Sequence, residues 1–121
     1  MALVESAEDA AAEEHVPTGA APSAAVRTPQ ALAAAGDLLR ALAAPVRIAI
    51  VLQLRVAPRC VHDLVDVLGA TQPLVSQHLR VLKEAGVVHG ERRGREVVYA
   101  LVDDHLAHIV VDAVAHAEEA R

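Results

Sequence analysis

"CVHDLVDVLGATQPLVSQHLRVLKEAG", residues 60–86, decides the fold. Its first part has the length of a short helix and runs into Gly69, a residue that closes helices because it accepts left-handed backbone without strain. Its second part has Thr71 as an N-cap, Pro73 tolerated in the first turn, and Gly86 as the stop. Leu74, Leu79 and Leu82 are expected to face inward from this second helix. Two short helices joined through a glycine-containing turn have the form of a helix-turn-helix.

Beyond Gly86 the pattern changes from helical spacing to alternation. "VVHGER" and "EVVYAL" read as strands, and "RRGR" between them reads as a turn centred on Gly94. A hairpin placed directly after a helix-turn-helix is a wing. Upstream, Thr28-Pro29 supplies an N-cap followed by proline at the first helical position, and "QALAAAGDLLRAL" continues with helically spaced leucines. Pro45 opens "PVRIAIVLQL", apolar nearly all round and therefore the expected central helix. From Asp103 helical spacing returns to the end of the chain. The expected fold is mainly α with one β-hairpin (α+β), a winged helix-turn-helix over residues 28–121.

Residues 1–27 mix Ala, Glu, Pro, Gly and Ser with almost no large aliphatics, so they are expected to form a disordered acidic arm. A chain of 121 residues is one domain's worth, which excludes a two-domain enzyme. Tyr99 is its only aromatic residue, and a core built from Ala, Val and Leu is small, so oligomerisation is expected. Arg47 interrupts the longest apolar stretch, "ALAAPVRIAIVLQL", well short of the ~18 residues of a membrane span. Glu5, Glu8 and Asp9 stand where a secretion signal carries positive charge, and Cys60 is a lone cysteine. The expected location is the cytoplasm.

A net charge of −5 argues at first against nucleic acid, but its distribution reverses that reading. The arm carries −4 of it, with Glu5, Glu8, Asp9, Glu13 and Glu14 against Arg27 alone. Residues 69–100 are net +2, with Arg80, Lys83, Arg92, Arg93 and Arg95 against Glu84, Glu91 and Glu96. In the second helix of the motif, Gln72, Ser76, Gln77 and Arg80 lie on or near the first two turns, the part that enters a major groove. Gln can pair bidentately with adenine and Arg with guanine. Thr71 and His78 are counted with this surface, and Arg92, Arg93 and Arg95 at the hairpin tip suit phosphate or minor-groove contact. The plainer reading, a solvated helix face beside an ordinary turn, accounts for the residues singly but not for their order along the chain.

The closing stretch "VDDHLAHIVVDAVAHAEEAR", residues 102–121, gathers three histidines among aliphatic positions. At about 100° per residue, His105, His108, Asp112, His116 and Glu119 fall on one stripe. His105 and His116 nevertheless stand roughly 16 Å apart along the axis, too far to hold one ion within one chain. Two copies packed antiparallel across a two-fold axis would bring Asp103 and His105 of one protomer to His116 and Glu119 of the other. Each such site has two nitrogens and two carboxylates, a set that suits tetrahedral Zn(II), at two ions per dimer. His108 and Asp112 are either orienting partners of these ligands or a competing pair at i,i+4. Against this stands a solvated helix end that its histidines merely decorate.

Cys60, His62 and Asp63 begin the first helix of the motif, and His15 on the arm could reach Cys60 and Asp63 to form a second metal or redox site. The alternative is a small buried cysteine beside a capping acid.

From about Thr28 to Arg121 the chain resembles the ArsR/SmtB family of metal-sensing repressors, and within it the zinc sensors. The resemblance lies in "LLRALAAPVRIAIVLQL", "SQHLRVLKEAGVV", "ERRGREVVYAL" and "DDHLAHIVVDAVAHAEE". It implies a homodimer with the first and last helices at the interface, binding double-stranded operator DNA without metal and released by Zn(II) at Asp103, His105, His116 and Glu119. Members with a second, thiolate-rich site draw ligands from the arm, where this chain has no cysteine and offers only His15. A small zinc hydrolase is disfavoured, because no general base outside the ligands and no substrate cleft are in prospect. A winged-helix regulator answering to another metal, or to thiol oxidation at Cys60, is the competing reading.

Overall fold

The computed structural model describes residues 21–120 of the chain. His15 and most of the expected arm lie outside the described residues; residues 21–28 are exposed and have no regular secondary structure. The elements follow in the order α1 (Pro29–Leu42), α2 (Pro45–Val56), β1 (Arg59–Cys60), α3 (Val61–Leu68), α4 (Gln72–Glu84), β2 (Val88–Arg93), β3 (Glu96–Leu101) and α5 (Asp104–Glu119). This is a winged helix-turn-helix: α3 and α4 form the motif and β2–β3 the wing.

Local chemistry sets the boundaries. Thr28 caps α1 by accepting from the Ala31 N–H at 3.0 Å, and Pro29 occupies a first-turn position where its missing N–H costs nothing. Thr71 caps α4 in the same way through the Leu74 N–H at 3.4 Å. Gly69 ends α3 at φ 66°, a left-handed conformation that side chains resist. Gly94 begins the two-residue wing turn at φ 65°, where a type II′ hairpin requires glycine.

The core forms around α2. Ile50 and Val51 are fully buried, and they pack with Leu64 of α3, Val75, Leu79 and Leu82 of α4, Val87 and Val88 at the root of the wing, and Leu106, Ala107 and Val110 of α5. Val46, Ile48 and Leu52 of α2 are only partly buried, so its apolar surface is wider than the core it faces. The wing is fixed at its base, where the Val87 N–H donates to the Leu82 carbonyl (2.9 Å) and the Val102 N–H to the Val87 carbonyl (3.0 Å).

Two expectations are corrected. Leu74 does not face inward but is 38% exposed, and Val75, fully buried, takes the inward place. The reason is phase: Val75, Leu79 and Leu82 stand at i, i+4 and i+7, one stripe of a helix, and Leu74 lies about 100° off it. Cys60 stands at the start of α3 as its N-cap, not inside the helix. It belongs to β1, whose pairing with β3 (Arg59 with Tyr99, Cys60 with Val98) makes the wing part of a three-stranded antiparallel sheet of order β1-β3-β2.

Candidate DNA-reading surface and metal centre

Gln72, Gln77 and Arg80 of α4 and its N-cap Thr71 are exposed, while Ser76 and His78 are half-buried on its flanks. Its inward stripe is anchored in the core, so packing holds the polar face outward. At the wing tip Arg92, Arg93 and Arg95 are all exposed, and among the described residues only Arg93 has an ion-pair partner, Glu91 at 3.2 Å. Gln72 and Arg95 line one open cavity of about 260 Å³ together with Cys60, His62 and Tyr99. The start of α4 and the wing turn are therefore neighbours, and the exposed Glu96 lies among the donors and positive charge gathered there. Such a surface fits a groove and its flanking phosphates.

One contact under this surface is not evident in the residue pattern. Arg47 of α2 donates from Nε to the Ala41 carbonyl at the end of α1, and its Nη1 lies 3.0 Å from Nδ1 of His78 on α4. The Ala41 carbonyl would accept from residue 45 in a continuing helix, but that residue is Pro45 and has no N–H. The signal was the proline itself, which leaves a buried carbonyl seeking a donor.

On α5, Leu106, Ala107 and Val110 face the core, and His105, His108, Asp112, His116 and Glu119 are all exposed. Asp103 is the N-cap residue yet makes no side-chain capping bond; its Oδ1 lies instead 3.2 Å from Nδ1 of His105. His116 and Glu119 occupy the last turns at the other end of the unbroken helix. Among the described residues no three of His, Cys, Asp and Glu come together tightly enough to hold a metal within one chain. Glu118 and Glu119 sit at a helix C-terminus, where the backbone carbonyls already concentrate negative charge, so this end is electrostatically suited to a cation.

Cys60 is buried, whereas Asp63 is exposed and His62 pairs with Asp66 at 3.6 Å. Cys60 and Asp63 do not converge on one exposed face. Leu32 and Leu39 of α1 are more than half exposed, and Leu39 lines an apolar hollow of about 160 Å³ with the exposed Ile109 and Ala113 of α5. Contiguous exposed aliphatics of this kind mark an association face.

Five helices, a helix-turn-helix anchored by its inner stripe and an arginine-tipped hairpin define the winged-helix class of DNA-binding fold. The family model described as bacterial regulatory protein, arsR family, matches residues 44–89, and the chain belongs to that family. Over 88 residues it is 76% identical to the HTH-type transcriptional repressor SmtB of Mycobacterium tuberculosis, covering 73% of this chain. The match spans 65% of that repressor's length. Over 89 residues it is 45% identical to the HTH-type transcriptional regulator NmtR of the same species, covering 74% of each. The solution structure of apo-NmtR superposes with a TM-score of 0.63 at 40% identity, covering 88% of this chain and 89% of that one. The crystal structure of the transcriptional repressor BigR from Xylella fastidiosa gives 0.63 at 31% identity, covering 69% and 85%. No helix among the described residues is long and apolar enough to cross a membrane.

Proposed function

We propose that this protein is a zinc-responsive transcriptional repressor, binding operator DNA as a metal-free homodimer and leaving it when Zn(II) binds between subunits. The observation that supports the metal reading is the exposure of candidate ligands at both ends of α5: Asp103, 3.2 Å from His105, at its start, and His116 and Glu119 in its last turns. Neither end alone offers enough donors, and an antiparallel pair of α5 helices completes both. The exposed Leu39 of α1 and the aliphatics of α5 beside it are the apolar surface such a dimer would cover. High identity to a protein named a repressor of SmtB type supports the same reading.

Bound there, Zn(II) would supply a fixed cross-link between the two protomers, with no open position for catalysis. The rest follows from this chain's own residues. α5 packs through Leu106 and Val110 on the core that also seats Val75 and Leu79 of α4, so the angle between two α5 helices sets the spacing between two reading helices. Those must meet successive major grooves about 34 Å apart. The coupling is reciprocal: DNA lowers zinc affinity by the factor by which zinc lowers DNA affinity, typically ~1–3 kcal/mol.

The competing reading makes Cys60 the sensor, by oxidation or as part of a second metal site with Asp63 and His15. The burial of Cys60 within β1 favours a packing role for the thiol. The deciding experiment is binding of the purified protein to its operator with and without Zn(II), with metal counted per dimer. Two ions and release from DNA support the α5 sites, four ions revive a site at Cys60, and no release refutes the zinc reading.

A further inference from the structure

We propose that Arg47 is a positioning residue for DNA binding: it locks His78 of the reading helix as a neutral imidazole that donates from Nε2 to a DNA phosphate. The inference rests on the DNA-binding function proposed above. A guanidinium has donors only, so a hydrogen bond between Arg47 Nη1 and His78 Nδ1 at 3.0 Å requires a lone pair on Nδ1. The ring proton is then on Nε2, which has no hydrogen-bond partner among the described residues. The tautomer is imposed and not sampled.

Arg47 can impose it because it is itself held. Its Nε is occupied by the Ala41 carbonyl that Pro45 leaves without a backbone donor, and Arg47 is half-buried where α1, α2 and α4 meet. The planar guanidinium presents its donors in a fixed fork, so fixing one donor aims the others. His78 lies about 60° from the Val75 position around α4, between the buried stripe and the exposed face. A side chain on that flank meets the rim of a groove, where phosphates are, while Gln77 and Arg80 take the face toward the bases.

A neutral donor has a distinctive signature. It strengthens binding without displacing a counterion, so its loss weakens DNA binding while leaving the salt dependence unchanged, unlike loss of an arginine. It also carries no sequence information, so the loss is uniform across sites.

The test uses the full chain and a duplex selected from a random pool by the wild-type protein. Nitrogen-15 spectra of the histidine rings of the free protein are expected to give the Nε2–H tautomer for His78, and a tautomer mixture in Arg47→Gln and Arg47→Lys. His78→Gln, whose amide nitrogen reaches the ε position, is expected to keep most of the affinity. His78→Asn, whose shorter amide can accept from Arg47 through its oxygen but does not reach the ε position, is expected to lose about fivefold with an unchanged salt slope. A mixed tautomer in the wild type, or one unaltered by both Arg47 variants, overturns the proposal, as does equal affinity of His78→Asn and wild type. Wild-type protein that selects no duplex from the pool refutes DNA binding itself and with it the role of the donor, while the spectra still judge the Arg47 lock.

Discussion

Gly90 of β2 and Tyr99 of β3 face each other across the wing with no room for a methyl group: a Cβ at residue 90 would lie 3.1 Å from the Tyr99 ring and 2.8 Å from Cγ1 of Val97. The only aromatic side chain of the protein lies against bare backbone. Gly90→Ala is therefore expected to destabilise the protein by about 1–3 kcal/mol, because ring and strand must part to admit the methyl. Urea unfolding of the two proteins measures this; an unchanged midpoint would mean that the wing gives way without cost.

The wing arginines should behave as phosphate clamps. Replacing Arg92 or Arg95 by Ala is expected to weaken binding to specific and random duplexes alike, and to reduce the slope of log affinity against log salt by about 0.9 for each phosphate that is no longer neutralised. Arg93, already paired with Glu91, should show a smaller change. Fluorescence titrations at several salt concentrations separate these effects; a change in sequence preference would instead make the wing a base reader.

His116→Ala is expected to abolish zinc-driven release from DNA while leaving metal-free binding within about twofold, because His116 is exposed on α5 and is not part of the core cluster. Cys60→Ser should still respond to zinc. If the response disappears in Cys60→Ser and persists in His116→Ala, the sensor lies at α3.

Leu64 is fully buried under the helix-turn-helix. Leu64→Ala is expected to cost about 2–5 kcal/mol, the range for a leucine truncated in a packed core. Thermal or urea unfolding gives the figure, and a cost under about 1 kcal/mol would show that α2 and α4 collapse into the space.

The elements with punctuation are legible in the sequence. Thr28-Pro29, Thr71, Gly69 and Gly94 each fix a backbone conformation locally, and the boundaries they imply coincide with those of α1, α3, α4 and the wing. β1 is not legible, since two residues after Pro58 carry no period and become a strand only by pairing with β3. Leu74 is misplaced when hydrophobicity is weighed before phase. The α5 residues are recognisable as ligand types, but one chain cannot bring both halves together. The pairing of Arg47 with His78 escapes a reading of the sequence because it joins residues far apart in the chain and neither belongs to a motif with the other.

The pairing of Arg59 with Tyr99 closes a loop that contains all of α3, α4 and β2. Local contacts such as the β2–β3 hairpin form early, but a contact between such distant residues forms only after the intervening chain is compact. β1 is thus expected to be the last piece acquired during folding and the first released in a fluctuation. The thiol of Cys60 would then be hidden by the least durable hydrogen bonds of the sheet, and its rate of labelling by a thiol reagent would time the opening of that seam.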